Sequence, residues 1–303
     1  MARDPITGII PVAPAIFDAD ENLDLDGVRR STRYLVDAGS DAISLLANYS
    51  EQFSLTDDER EAYLRASFEA AGDTPLCVTT SHYSSRIAAE RSRHAQELGA
   101  AFVMLMPPFV GSSMTVSEQG IVDFFRTVAD AIDIPIMVQD APMSPTLLTP
   151  EVMARLAREI DLVQYVKVET ARAASKLRTL KQIAPELPGL FDGEEAVTLI
   201  PDLEAGAIGC MSSAMLPREL GAIITDFAAG RRDEAERAWE ALLPLIQFEN
   251  RQLAQAATKV LMAEGGIIGS DTMRRPFATT HPNDRAKLVE MARKRDAFIL
   301  NWA

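Results

Sequence analysis

Two cysteines and three histidines in 303 residues leave little for a thiolate or imidazole metal centre. Cys77 and Cys210 both fall within apolar runs, so no disulfide framework is expected and the chain reads as cytoplasmic. No metal ion and no cofactor is expected. Positive charge is also scarce: 30 Lys and Arg face 44 Asp and Glu, a formal net charge of −14. That balance argues against nucleic acid or an anionic membrane as partner, because both demand a basic face. No run approaches the ~18 apolar residues of a membrane span, and Met1 to Pro5 lacks the basic and apolar regions of a secretory leader. A Gly-rich dinucleotide turn after an early strand is missing as well, which counts against a doubly wound sheet.

What the chain does contain is alternation. Short apolar runs at 8–13, 41–46, 76–80, 101–106, 134–138, 163–168, 189–192 and 207–211 have the length of strands buried on both faces. Between them lie amphipathic patterns near 25–38, 57–72, 86–98, 117–131, 149–159, 171–183, 194–205 and 217–229. Thr56 ahead of Asp57 to Glu59, and Thr149 ahead of Pro150, supply helix starts. Eight strands each followed by a helix predict an α/β fold, a (β/α)8 TIM barrel over 1–229. Helical patterns at 232–248, 250–264 and 284–299 predict a C-terminal three-helix extension over 230–303, packed on the barrel.

In such a barrel the chemistry gathers at the C-terminal ends of the strands. Lys167 interrupts the apolar run from Leu162 to Glu169. A buried ammonium there must be paired or have a lowered pKa, and a neutral amine on a pocket floor is what Schiff-base formation with a carbonyl needs. The alternative is a structural ion pair with Glu169 or Asp140. Glu169 shares a strand face with Lys167, so it reads as salt-bridge partner or as acid/base. Tyr49 and His82 are further candidates for proton transfer. Asn48 and Ser50, with nearby backbone N–H groups, are the expected holders of a substrate carboxylate, and Glu51 is expected to orient that loop. Gln139 and Asp140 follow strand 5. Glu194 and Glu195 read as acidic residues favoured at a helix N-terminus.

The chain resembles the dihydrodipicolinate synthase / N-acetylneuraminate lyase family of lysine-dependent barrels. The resemblance rests on Gly8 to Val12, Asp37 to Gly39, Ser54 to Arg60, Ala95 to Ala100, Met106 to Pro108, Ile134 to Ile136, Tyr165 to Glu169 and Asp192 to Glu195, and so covers nearly the whole chain. It implies that Lys167 forms the Schiff base, that the turn at Gly193 helps to hold the keto acid, and that Ile208 lines its methyl side. It also implies a homo-oligomer, a tetramer, acting on a small-molecule 2-keto acid.

Departures from the family pattern narrow the activity. Where the family has two hydroxyl residues after strand 2, this chain has Asn48 and Tyr49, and its usual tyrosine after strand 5 is replaced in the segment Gln139 to Pro142. The synthase arginine corresponds to Ser144, and the tyrosine contributed by a neighbouring subunit corresponds to Phe109. A residue that cannot titrate at 139 disfavours retro-aldol cleavage, which needs a base on the C4 hydroxyl. The segments Leu46 to Phe53, Thr79 to Tyr83, Met137 to Pro142 and Glu249 to Gln252 resemble a sugar-acid dehydratase subgroup of the family, and that resemblance implies dehydration of a 2-keto-3-deoxy sugar acid, with L-2-keto-3-deoxyarabonate going to 2-oxoglutarate semialdehyde and water. An aldolase releasing pyruvate and an aldehyde, and a non-catalytic keto-acid-binding barrel, stand as alternatives.

Overall fold

The computed structural model describes residues 5–111 and 115–302. Among them eight strands run in chain order: β1 (Gly8–Ile9), β2 (Ile43–Leu45), β3 (Leu76–Thr79), β4 (Phe102–Leu105), β5 (Ile136–Asp140), β6 (Val163–Val168), β7 (Gly189–Asp192) and β8 (Gly209–Cys210). Their order in the sheet is β1-β8-β7-β6-β5-β4-β3-β2, and the registered pairs from β3 to β8 are parallel. Val12 bridges Ser213 on one side and Ser44 on the other, which closes the ring between the first strand and both neighbours. The architecture is a (β/α)8 barrel.

The crossovers are α1 (Leu25–Asp37), α2 (Asp57–Ala71), α3 (Ser85–Glu97), α4 (Glu118–Ala129), α5 (Pro150–Glu159), α6 (Ala173–Ile183), α7 (Leu199–Glu204) and α8 (Pro217–Ala228). Their starts are chemically marked. Asp24 accepts from the Gly27 N–H, and Thr56 and Glu59 form a reciprocal capping box. Thr149 accepts from the Val152 N–H ahead of Pro150. The C-terminal segment adds α9 (Arg232–Phe248), a π-helical turn over Glu249–Leu253, α10 (Ala256–Glu264) and α11 (Pro282–Arg293).

By their contacts the residues form two units. One consists mainly of Leu76–Glu194 and Thr198–Met211, and so holds β3 to β8 with α3 to α7. The other consists of Gly8–Pro75, Glu195–Val197 and Ser212–Ala303, and holds β1, β2, α1, α2 and α8 to α11. The three-helix extension thus groups with the first two β/α repeats.

Three elements differ from the sequence pattern for a backbone reason. The helix expected over 194–205 begins only at Leu199, because Glu195 and Ala196 adopt left-handed φ of 53° and 63°. That expected over 171–183 starts at Ala173, after Arg172 at φ 66°. The helix expected over 250–264 is divided, with Ala254 at φ 48° between the π turn and α10.

Packing in the first unit leaves little room around Gly189. A Cβ there would lie 2.1 Å from Cδ1 of Tyr165, whose ring packs edge-on against Phe191 at 6.1 Å and whose hydroxyl accepts from the Ile6 N–H at 3.0 Å. Gly189→Ala should destabilise the fold by about 1–3 kcal/mol through overpacking, read as a lowered Tm. An unchanged Tm would mean that the Tyr165 ring swings aside freely.

Candidate active site

Lys167 lies near the end of β6, level with Gln139 on β5 and Phe191 on β7. These strands are apolar because both faces are covered, so each polar side chain on them needs a partner close by. For Lys167 that partner is Glu169, whose Oε1 sits 2.7 Å from Nζ. The same oxygen accepts from Nε2 of Gln139 at 2.6 Å. One carboxylate oxygen therefore ties together a lysine and an amide from adjacent strands. Gln139 is 1% exposed, and its Oε1 has no hydrogen-bond partner among the described residues. The amide orientation is set by Glu169, which accepts only, so Nε2 must face it and Oε1 is left free.

Gly193 follows β7 and passes against this group. A Cβ on it would come within 2.7 Å of Cγ of both Lys167 and Glu169, and 2.9 Å from Cε of the lysine. Only glycine fits where the β7 turn approaches the paired side chains. Its N–H donates to the Val168 carbonyl at 3.0 Å, which holds the turn in place. Lys167, Glu169, Gln139 and Gly193 are thus brought together as one cluster.

Asp140 plays a different part from the one expected. Its Oδ2 accepts from Oγ1 of Thr170 at 2.5 Å and from Nζ of Lys176 at 2.7 Å. Lys176 also donates to Thr170 Oγ1 at 2.5 Å, and the three groups form a closed set. Through Oδ2, Asp140 ties the end of β5 to the entry of α6. It also gives Lys176 a carboxylate of its own, so each lysine near the β5 and β6 ends has its own anion.

The loop after β2 opens with a 3-10 turn over Asn48–Ser50. Asn48 and Tyr49 are half-buried in it, and Oδ1 of Asn48 accepts weakly from Nε2 of Gln52 at 3.4 Å. Ser50 is fully buried: its hydroxyl donates to the Ala13 carbonyl at 2.7 Å and accepts from the Ala47 N–H at 3.1 Å. With its one proton already given to backbone, Ser50 closes the turn and is not a carboxylate holder. His82 accepts through Nδ1 from the Ser84 N–H at 3.0 Å and stacks on Tyr83 with centroids 4.3 Å apart. These contacts shape the approach to α3, and Tyr83 itself is 62% exposed.

Ile208 precedes β8 and donates its N–H to the Leu190 carbonyl, one level below the Lys167–Phe191 pairing, and Met211 and Ser212 follow the strand's C-terminal end. One expectation needs correction. Glu195 is not a helix-dipole residue, since α7 starts four positions later and its carboxylate accepts from the Ser213 N–H. Lys176 and Thr170 were not expected beside this cluster. The signal of Lys176 in the sequence was weak, because a lysine on a helix is normally a solvated one.

Two buried carboxyls have strongly raised pKa values. Burial pushes Glu249, in the π turn, up to about 8. Burial, helped by the negative charge of Asp192, pushes Asp202 up to about 8 as well. Both are protonated at neutral pH in the folded chain, whereas their ordinary values are 4.5 and 3.8. The folded state therefore holds more protons than the unfolded one above those ordinary values. Their contribution to stability is complete below pH 4 and is lost as pH rises through about 8. Glu249→Gln, which cannot ionise, should flatten the fall in urea-unfolding stability between acid and mildly alkaline pH. An unaltered slope would mean that Glu249 titrates alike in both states.

The dihydrodipicolinate synthetase family is matched over residues 5–295. The chain is 48% identical over 298 residues to the L-2-keto-3-deoxyarabonate dehydratase of Azospirillum brasilense, covering 98% of this chain and 96% of that protein. It is 30% identical to the 4-hydroxy-tetrahydrodipicolinate synthase of Acidothermus cellulolyticus, covering 87% and 86%. Among solved structures, a dihydrodipicolinate synthase from Rhodopseudomonas palustris superposes with a TM-score of 0.87 at 24% identity, covering 95% and 97%. A prophage protein of the dihydrodipicolinic acid synthase family from E. coli K12, in complex with pyruvate, gives 0.88 at 23%, covering 96% and 99%. The two structures share the fold, and the family match spans nearly the whole chain: this protein belongs to the dihydrodipicolinate synthetase family.

Proposed function

We propose that the chain is a lysine Schiff-base hydro-lyase that dehydrates a 2-keto-3-deoxy sugar acid, with L-2-keto-3-deoxyarabonate as substrate and 2-oxoglutarate semialdehyde as product. The observation that carries the reading is the shared carboxylate oxygen, 2.7 Å from Lys167 and 2.6 Å from Gln139. The relative from Azospirillum brasilense supports the choice of substrate.

Glu169 is within proton-transfer reach of Lys167 and takes the ammonium proton, leaving the amine free to attack C2 of the keto acid. Glu169 returns that proton to the carbinolamine hydroxyl, which leaves as water and gives an iminium that acidifies the C3 protons. Glu169, its charge shared with the Gln139 amide, is placed to remove one of them. The enamine then expels the C4 hydroxyl, protonated as it leaves, and a C3=C4 double bond conjugated with the iminium results. Transfer of a proton from C5 to C3 gives the C4=C5 enol, which becomes the aldehyde as C4 takes up a proton and the C5 hydroxyl loses its own, and hydrolysis of the iminium frees Lys167. Tyr49 is the proposed acid for the departing hydroxyl, and Asn48 with its neighbouring backbone N–H groups is proposed to hold the substrate carboxylate. The buried acceptor Oε1 of Gln139 suits a substrate hydroxyl as donor. His82 is kept as a reserve proton carrier, its Nδ1 already engaged by Ser84. The proposal takes the enzyme as a cytoplasmic homotetramer, in keeping with the family resemblance.

Gln139 in place of a phenol supports dehydration over cleavage, because an amide cannot act as the base on the C4 hydroxyl. NMR of the products formed from L-2-keto-3-deoxyarabonate decides it. Appearance of 2-oxoglutarate semialdehyde is expected, whereas pyruvate with glycolaldehyde would overturn the reading in favour of an aldolase. Borohydride reduction with pyruvate should place the adduct on Lys167 and not on Lys176 or Lys181. Gln139→Leu removes a hydrogen bond to a charged group and should lower kcat by about tenfold to a hundredfold. The Lys167 adduct should still form in that variant.

A further inference from the structure

The largest concentration of buried charge within the unit that contains β1 and β2 lies away from the reactive lysine. Glu51 is 2% exposed and Lys259 is 1% exposed, and they form an ion pair through Oε1 and Nζ. The other oxygen of Glu51 accepts from the Arg274 N–H at 3.2 Å, and Lys259 also donates to the Thr272 carbonyl at 3.0 Å. Arg274 reaches back to the same region, with its guanidinium bonded to both oxygens of Glu59 at 2.7 and 2.8 Å and to the Ser54 carbonyl at 2.6 Å. The ring of Phe17 takes both cations, Nζ of Lys259 at 4.4 Å and Cζ of Arg274 at 4.2 Å from its centroid. Every one of these donors to Glu51 comes from residues 259–274 at the far end of the chain.

Such a pair is an expensive way to hold a fold together. Two charges taken out of water recover little net stability, and an apolar pair of similar volume often does as well or better. Burial lowers the Lys259 pKa even with Glu51 beside it. What a buried ion pair does supply is one defined geometry, and here the geometry belongs to Glu51. That residue stands in the left-handed region at φ 53°, where a side chain is disfavoured, and it joins the turn Asn48–Ser50 to a second 3-10 turn, Gln52–Ser54. A glycine would adopt this backbone without strain. A glutamate held at its carboxylate adopts it in one place only.

We infer that Lys259 is a positioning residue: through its ion pair with Glu51 the C-terminal helical segment sets the conformation of the Asn48–Ser50 turn and so the placement of Tyr49 for the reaction. This rests on the function proposed above, in which Asn48 and Tyr49 act on the substrate. It assigns the helical extension a part in catalysis beyond packing.

The test uses the full-length chain with both charges removed, Glu51→Leu with Lys259→Met, because either single change leaves a buried charge alone and risks unfolding. Two readings are taken: amide hydrogen exchange of residues 47–52, and kcat on the 2-keto-3-deoxy acid. The inference predicts a Tm close to the wild type, faster exchange confined to 47–52, and kcat lowered by roughly tenfold to a hundredfold. Lys259→Arg, which keeps the charge, should recover part of both. Exchange at 47–52 equal to the wild type overturns the inference, as does faster exchange with kcat unchanged. Failure of the function itself shows separately, as a wild-type chain that traps pyruvate on Lys167 and turns over no 2-keto-3-deoxy acid, and the exchange reading then decides the inference alone.

Discussion

An ammonium group on a strand covered on both faces has to be answered within hydrogen-bond distance, and the lysine cluster is built around that requirement. Lys167 is answered by Glu169, two residues along the same strand face, at 2.7 Å. Gln139 fills the level beside it and donates to the same oxygen. Gly193 is glycine because any side chain would strike both members of the pair. The second lysine of this region, Lys176, is kept with Asp140 and Thr170, so Glu169 answers a single cation there. A buried charge thus bears on the residue types at three neighbouring positions.

The same logic sorts reactive groups from supporting ones. Ser50, Asp140 and Glu195 are all polar residues near strand ends, and each is bonded to backbone or to a neighbouring cation. They fix turns. Gln139 differs in keeping one buried acceptor unsatisfied, and Glu169 in facing the lysine proposed to react. Buried carboxyls elsewhere, Glu249 and Asp202, avoid the cost of burial by staying protonated up to about 8. Burial alone therefore does not mark a catalytic acid in this chain; the partner does.

The barrel was legible in the sequence because its strands are parallel and doubly covered. They read as short unbroken apolar runs, and the helices between them carry capping signals such as Thr56 with Glu59. The helices that began later than their pattern indicated were those preceded by left-handed residues, Arg172, Glu195 and Ala196, which are not glycine and leave no mark in composition. Within the site, Lys167 and Glu169 were legible because they break an apolar strand at a spacing that puts both on one face. Ile208, named by resemblance alone, lies just before β8, one level beneath the lysine.

By itself the sequence determined the alternation of eight strands and helices, the excess of negative charge, and a lysine set where only pairing or deprotonation is tolerable. These are local properties, read from period, composition and the cost of a charge in an apolar run. Which carboxylate answers which cation was decided by the tertiary structure alone: Glu51 with Lys259 across 208 residues, Asp140 with Lys176 across 36. The physical reason is that an ion pair depends on distance in space, and a chain of 303 residues with 44 acids and 30 strong bases offers far more possible partners than its linear order can rank.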